Sequence, residues 1–376
     1  MPVRGVDPFL DRAIRSVMAQ DYPNYDLRII VDSRQDKAWN VVERVRAEMA
    51  SDRVHLSELS RRQPNCSLVC NAIIQFVEEV GRGSELMVGC DSDMVPPRNW
   101  ISTMVAALDD PNVGTTLGNR WYMPADSAWG SLVRYAWNAS AVIQMWVSHV
   151  LWSGGVCLRL NDIHSLGIDA IWKMSLCEDT CLQEVFERAG RPLVFLPQLL
   201  VVNRESIGLA ACVEFMTRQL YLARLYSPSR NLLSLFPVVQ SVGALTTAGA
   251  TLAAFLTGSF VAGLYGLAGL IGHVAVSLVA CAALDRYVRR MMRGRGETTT
   301  PWELAALLKM PLVILLAQIL FLYTLVASLR IRIFRWRGIE YLVKGPFNVT
   351  MLEKSPSPQS AAAPHPVMPT TESGNG

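Results

Sequence analysis

Residues 85–97 read ELMVGCDSDMVPP. An apolar run of strand length ends in Asp91-Ser92-Asp93 and is stopped by Pro96 and Pro97. In open α/β sheets, ligands bind outside the carboxyl ends of the strands. Two carboxylates one residue apart at such an end repel each other unless a cation satisfies both. Hard oxygen ligands of this kind suit Mn²⁺ or Mg²⁺, which also bind substrate phosphates. The plainer alternative is an acidic turn capping the helix that follows, and Asp-x-Asp alone does not decide between them.

Outward from this stretch, strands and helices alternate. Asp7 is placed to cap a helix running to about Gln20, and DLRIIVD reads as a buried strand ending at Asp32. A charged helix over 38–50, a short strand over 53–56 and a helix over 66–80 come next, leading into the strand before Asp91. After it come a tryptophan-rich helix over 127–152, the loop Ser153-Gly154-Gly155 and the strand VCLRL. A helix starting at CEDT (177–180), the strand RPLVFLPQLLVV and an amphipathic helix over 214–226 complete the pattern. Such alternation predicts a mostly parallel sheet with helices on both faces. Of a strand before the first helix only Pro2 and Val3 remain, so either the strand is abbreviated or it continues upstream, and in the second case an anchor helix ahead of it is expected.

Composition divides the chain. Over 376 residues, 51% are hydrophobic and only 18% charged, against roughly 25% charged in ordinary soluble domains. Up to residue 231 charges are mixed with apolar runs. Beyond it lie three apolar stretches, 232–256, 260–284 and 304–329, each as long as the ~20 residues that cross a bilayer. Only TGS separates the first two, which predicts a helical hairpin, and Gly263, Gly266, Gly269 and Gly272 offer a surface for close helix approach. Lys309 and Pro311 put the first turns of the third stretch at the interface. Basic clusters flank it on both sides, so the positive-inside rule does not orient it. The expected organisation is a catalytic domain over 1–231, membrane helices over 232–330, a short segment over 331–352 and a disordered tail over 353–376. A net charge of +3, with no basic patch interleaved with aromatics, excludes a nucleic-acid partner and leaves the bilayer as the expected one. Eight cysteines form no Cys-x-x-Cys pair, and buried free thiols are expected.

Two further acidic sites stand out. Asp32 ends its strand where an acceptor for a nucleobase or ribose is useful; capping the next helix is the alternative. Glu178-Asp179-Thr180 lies at a helix start behind the Ser-Gly-Gly loop. A carboxylate there is placed to serve as general base for a hydroxyl nucleophile, or simply to cap the helix.

In this order the motifs resemble the family 2 glycosyltransferases with the A-type, Rossmann-like fold. The nearest likeness is to ceramide glucosyltransferase-like and hopanoid-associated members. It rests on PVRGVDPFLDRAIRSVMAQDYPNY, CDSDM, CEDT, WSGGVCLRL and WRGIEYLVKGP, and spans residues 2–346. The resemblance implies that Asp32 contacts the nucleoside, Asp91 the nucleotide and metal, Asp93 the metal, and that Asp179 is the base. The family's Gln/Arg-x-x-Arg-Trp motif, which helps hold the diphosphate and acceptor, is incomplete. In TRQLYLARLY, Arg218 fits its first position while Tyr221 and Leu222 stand in place of Arg-Trp, with Gln219 and Arg224 as candidate substitutes. Val69 stands where close relatives tend to carry lysine.

The expected activity is transfer of a sugar, from a UDP-hexose or similar nucleotide-sugar, to a lipid hydroxyl by a metal-dependent, multi-pass membrane enzyme. Its catalytic domain is expected on the cytoplasmic side. Two alternatives remain: a processive polysaccharide synthase, which needs more spanning helices, and a catalytically impaired relative acting as a membrane-bound partner.

Overall fold

The computed structural model describes residues 1–81 and 83–352, so the expected disordered tail lies outside the described residues. The first part of the chain runs β1 (Pro2–Val3), α1 (Leu10–Met18), β2 (Leu27–Val31), α2 (Lys37–Met49), β3 (Val54–Glu58), α3 (Leu68–Val80) and β4 (Leu86–Val88). It continues through α4 (Trp100–Ala107), β5 (Thr115–Leu117), β6 (Arg120–Tyr122), α5 (Trp129–Val147) and β7 (Cys157–Arg159). Then come α6 (Leu160–Ser165), α7 (Ile168–Trp172), α8 (Gln183–Arg188), β8 (Leu193–Phe195) and β9 (Val201–Asn203). Strands β1, β2 and β3 pair in parallel, as do β5 with β8 and β6 with β9, while β4 pairs antiparallel with β7. The mostly parallel α/β architecture is therefore the observed one.

Several local expectations change. Asp7 does not cap α1 with its side chain; its carboxylate accepts from Arg337 at 2.7 Å. Asp36, not Asp32, caps α2, accepting from the Ala38 amide at 2.9 Å. The run 191–202 is not one strand, because Pro197 cannot donate to a ladder and opens a 3₁₀ turn between β8 and β9. At CEDT the α-helix begins only at Gln183, after a 3₁₀ turn over Thr180–Leu182. Asp91 and Asp93 cap nothing: α4 starts eight residues beyond Ser92, with Asn99 at its N-cap.

The second part comprises α9 (Leu209–Tyr226), α10 (Arg230–Leu256), α11 (Phe260–Gly294), α12 (Leu304–Leu329) and an antiparallel sheet of β10 (Ile333–Trp336), β11 (Ile339–Gly345) and β12 (Asn348–Leu352). Helices α10, α11 and α12 are each long and apolar enough to cross a membrane. They differ in setting. The apolar windows of α10 and α11 are 17% and 6% buried, that of α12 44%. Helices α10 and α11 form a hairpin whose tip is apolar and open, with Leu256 and Phe260 exposed. The α11 end returns to the α/β domain, where Arg295 donates to the Leu200 carbonyl at 3.0 Å.

Helix α12 lies instead against α5 and α9. At its start the Lys309 ammonium donates to the Ser127 carbonyl at 2.8 Å and sits 5.6 Å over the Trp129 ring. Near its end the Ser328 hydroxyl accepts from Arg224 at 3.2 Å. Between them Phe321 meets Trp137, ring centres 6.3 Å apart, in a core that also holds Met216, Val313 and Cys281. The tryptophans of α5 thus divide, Trp137 in the core and Trp129 and Trp146 exposed. All eight cysteines are free and buried.

The glycine row on α11 is used only in part. A Cβ on Gly263 would lie 2.6 Å from the Phe255 ring, and one on Gly266 would collide with Thr251, both on α10. Gly269 and Gly272 face open space. We therefore expect Gly263→Leu and Gly266→Leu to destabilise the hairpin by about 1–3 kcal/mol through overpacking. Gly272→Leu is expected to leave it unchanged. Thermal unfolding of the detergent-solubilised protein measures both, and equal effects at the three positions would contradict the packing described.

Candidate active site

Two half-buried acidic clusters meet across one loop. The Asp91 carboxylate accepts from the Ser153 hydroxyl at 2.5 Å, the Trp152 indole N–H at 3.1 Å and Arg120 Nη2 at 3.0 Å. The Asp93 carboxylate accepts both Arg120 nitrogens, Nη1 at 2.7 Å and Nη2 at 2.8 Å. Arg120, at the start of β6, lies 4.8 Å over the Trp152 ring. Its planar fork lets one cation satisfy both carboxylates.

Ser153 is the joint. Its hydroxyl serves Asp91, and its backbone N–H donates to Asp179 Oδ2 at 2.9 Å. The other Asp179 oxygen accepts from the Thr180 amide and, at 3.0 Å, from the Thr180 hydroxyl. Asp179 therefore does cap the turn it begins, while also reaching the loop. The local sequence permits this close approach. A Cβ on Gly89 would sit 2.5 Å from the Ser153 carbonyl oxygen, and one on Gly155 2.5 Å from Gly118 Cα. Glycine alone fits where backbones pass at that range.

Electrostatics follows from this crowding. Burial pushes the Asp91 carboxyl up, against the opposing pull of Arg120 and with help from Asp93. Burial also opposes ionisation of Asp93, but Arg120, by charge and hydrogen bond, outweighs it and holds that carboxyl below its ordinary value. Glu178 is driven well up by burial and then by Asp179 and Asp91. Asp179 is raised too, by burial, though the Thr180 and Ser153 donors restrain it.

Asp91, Asp93, Asp179, Arg218 and Gln219 all line one cleft of about 1300 Å³. Its walls also include Arg4 and Asp7 from the N-terminal loop and Trp336 and Arg337 from the C-terminal sheet. Asp32 does not line it. That side chain is paired with Arg4 and, at 2.8 Å, with Arg62, beside a small recess shared with Val69 and Trp336. Arg224 reaches α12 rather than the cleft, and Tyr221 is buried, stacked on Phe334 at 5.6 Å. Sequence reading missed Arg120, Arg4 and Arg337. A lone arginine at a strand start carries no local signal, and the other two become neighbours only through contacts spanning 333 residues.

The donor chemistry of Asp91 and Asp93 fits a hard divalent cation. Mg²⁺ sites of this kind use one or two carboxylates and take their remaining ligands from substrate phosphates and water. Among the described residues no cluster of three or more His, Cys, Asp or Glu side chains is placed to hold a metal unaided. The Arg120 guanidinium stands between the two carboxylates, in the place such a cation would take.

Parallel βα units, with paired carboxylates at a strand end and a long cleft beside them, make up the A-type, Rossmann-like fold of glycosyltransferases. Residues 1–346 match glycosyl transferase family 21, and the chain belongs to that family, the ceramide glucosyltransferase family. No curated protein matches the chain. Among solved structures it is similar to the mannosyltransferase PcManGT from Pyrobaculum calidifontis in complex with GDP-Man and Mn²⁺. Identity is 15%, coverage 88% of this chain and 85% of that one, and the TM-score 0.50. It is also similar to S. aureus TarS 1–349, with 11% identity, coverage of 94% and 97%, and a TM-score of 0.35. At these identities the likeness concerns the fold.

If Asp91 and Asp93 bind a cation, Arg120 competes with it. Arg120→Leu is expected to lower stability in metal-free buffer by about 3 kcal/mol, because two partly buried carboxylates lose their shared partner. Millimolar Mn²⁺ should then raise the melting temperature of the variant more than that of the parent. A variant whose melting temperature ignores Mn²⁺ would remove the pair from metal binding.

Proposed function

We propose that the protein transfers a sugar from a nucleotide-sugar, a UDP-hexose, to the hydroxyl of a membrane lipid. The single observation that carries this reading is the reach of the cleft. It runs from the carboxylates at Asp91 and Asp179 to Leu233 on α10 and Phe321 on α12, apolar residues of the helices long enough to enter a bilayer. A nucleotide-sugar suits the polar end, and an acyl or polycyclic body suits the apolar end.

On this reading Asp179 takes the proton from the acceptor hydroxyl, whose oxygen attacks the anomeric carbon. The bond from that carbon to the diphosphate breaks, and the nucleoside diphosphate leaves with the electron pair. Asp91 and Asp93 would hold Mn²⁺ or Mg²⁺ together with the diphosphate, neutralising charge as it leaves, and Arg218 and Gln219 border the same site. The Mn²⁺ in the Pyrobaculum mannosyltransferase complex supports that assignment. Asp32, off the main cleft, acts on the nucleoside through the loop that carries Arg4.

The proposed topology follows from parity. The C-terminal sheet contacts the N-terminal loop, so both lie on one side of the bilayer. Three crossings between them would put them on opposite sides. We therefore assign the two crossings to the α10–α11 hairpin and an in-plane position to α12, whose ends both bond the catalytic domain. Basic residues at 286–295 and 330–337 then share the cytoplasmic side with the catalytic domain. Two crossings leave no bundle through which to guide a polymer, which favours a lipid product over a processive synthase. The family motif's replacement by Tyr221 and Leu222 is the observation that favours a catalytically impaired partner.

Two measurements test the reading. Asp93→Ala should abolish Mn²⁺-dependent binding of the nucleotide-sugar, whereas Asp179→Asn should still bind it and lose about 10²–10⁴-fold in turnover. Because Asp179 must be ionised to act and its carboxyl is raised, parental turnover should fall as pH drops through a value above that of an ordinary aspartate. Near-normal transfer by Asp179→Asn would remove it from the mechanism. In the second, purified protein is given labelled nucleotide-sugars with either lipid vesicles or soluble oligosaccharides. Label extracted into organic solvent is expected; label confined to long water-soluble chains would refute the lipid acceptor, and none in any product would favour the impaired partner.

A further inference from the structure

The turn joining β10 to β11 is two residues long, Arg337 and Gly338, since Trp336 and Ile339 still pair across it. Both have positive φ, 44° and 79°. A two-residue hairpin loop of that kind favours Asn, Asp or Gly at its first position. Arginine at φ > 0 is uncommon and costs backbone energy, a pattern concentrated at binding and active sites.

The side chain points to the reason. Arg337 Nη1 donates to the Arg4 carbonyl at 2.8 Å, and Arg4 Nε donates back to the Arg337 carbonyl at 2.8 Å. Arg337 Nη2 pairs with Asp7 at 2.7 Å, and the Arg337 side chain, 31% exposed, lines the cleft. Opposite stands Arg218 on α9, which among the described residues forms no ion pair and touches only the Phe215 ring face at 5.9 Å. Burial lowers the Arg218 pKa, and Arg337 and Arg120 lower it further. Arg4 is lowered in the same way, by burial and then by Arg62 and Arg337 among its neighbours. All three guanidiniums line the cleft, Arg4 paired with Asp32 and Arg337 with Asp7, while Arg218 has no ion pair among the described residues. A cleft wall carrying this much positive charge, one guanidinium of it unpaired, suits an anionic ligand.

The departure from the family motif belongs to the same structure. Tyr221, in place of the motif's arginine, stacks on Phe334 of β10, and the Tyr341 hydroxyl of β11 accepts from the Leu68 amide at 3.3 Å. The altered positions seat the sheet that carries Arg337.

We propose that the β10–β11 turn is a donor-binding element in which Arg337, with Arg4 and Arg218, receives the diphosphate of the nucleotide-sugar. The turn supplies from beyond the last apolar helix the positive charge that α9 lacks at residue 221. This rests on the transferase reading above and adds the residue that binds its anionic group.

Arg337→Asn tests it, because asparagine suits the left-handed turn while removing the guanidinium, together with its contacts to the Arg4 carbonyl and Asp7. The full-length protein in nanodiscs is titrated with UDP, GDP and the nucleosides uridine and guanosine. The variant should keep a cooperative melting transition, bind the nucleoside diphosphate about 10- to 100-fold more weakly, and bind the nucleoside unchanged. Arg337→Lys should recover part of the loss. Diphosphate affinity equal to the parent's in Arg337→Asn overturns this inference and leaves the transferase reading standing. Equal weakening toward nucleoside and diphosphate also overturns it, as a purely structural role would give that result. A parent that binds neither UDP nor GDP overturns the transferase reading, and this inference with it.

Discussion

Two carboxylates held at the end of one buried strand impose the arrangement of everything around them. Desolvation and mutual repulsion act on Asp91 and Asp93 together, and only donors converging from other elements offset both. Arg120 comes from β6, and Trp152 and Ser153 come from the loop ahead of β7. For that loop to reach the strand end, Gly89 and Gly155 must lack side chains. Once Ser153 is fixed by Asp91, its amide fixes Asp179. The position of the second acidic motif is thus a consequence of satisfying the first.

The same logic ties the chain's ends together. Arg4 and Arg337 exchange hydrogen bonds across almost the whole length of the sequence, and Asp7 completes the contact. A sheet that follows three long apolar helices has no reason to return to the N-terminal loop unless the contact is worth the chain entropy of closing so large a loop. That entropy grows only slowly with loop length. Phe334, Tyr341, Val343 and Val349 are buried in the core that also contains Cys70, Leu182 and Tyr221. The return is therefore a packed interface as well as one ion pair and two hydrogen bonds.

Much of this was legible in the residues. Alternating strand and helix patterns gave the α/β class, and Asp91-Ser92-Asp93 and Glu178-Asp179 were placed in one cleft as their strand-end and turn positions imply. The three apolar runs correspond to α10, α11 and α12, although α11 continues through the basic stretch to Gly294. Hydropathy counts apolar residues and not their partners, so it could not separate the open hairpin from α12, which buries Met310, Phe321 and Leu325 against the catalytic domain. Local capping rules misassigned Asp7, and the capping alternative for Asp32 fails too, because each carboxylate is taken by an arginine remote in sequence. Arg120 had no signature at all: its role depends on where the start of β6 falls relative to the end of β4, and that tertiary placement is not written in any short window.

The two members of the Glu178-Asp179 motif differ in a way that bears on the proposed base. Neighbouring carboxyl groups in a crowded site do not both ionise freely, and their environments decide which does. Glu178 is pushed well up by burial, with Asp179 and Asp91 adding to it. Asp179 has the Ser153 amide and both Thr180 donors, which favour its charged form and fix the orientation of both its oxygens. A base must be ionised before the acceptor arrives and must present a lone pair in a fixed direction. Glu178, the more easily protonated, suits holding a proton near the pair and thereby lessening the repulsion that Asp179 feels. Of two adjacent acids in one short motif, the second has both oxygens held by hydrogen-bond donors, one of them a serine that the first acidic motif holds in place, and this favours it for the proposed role.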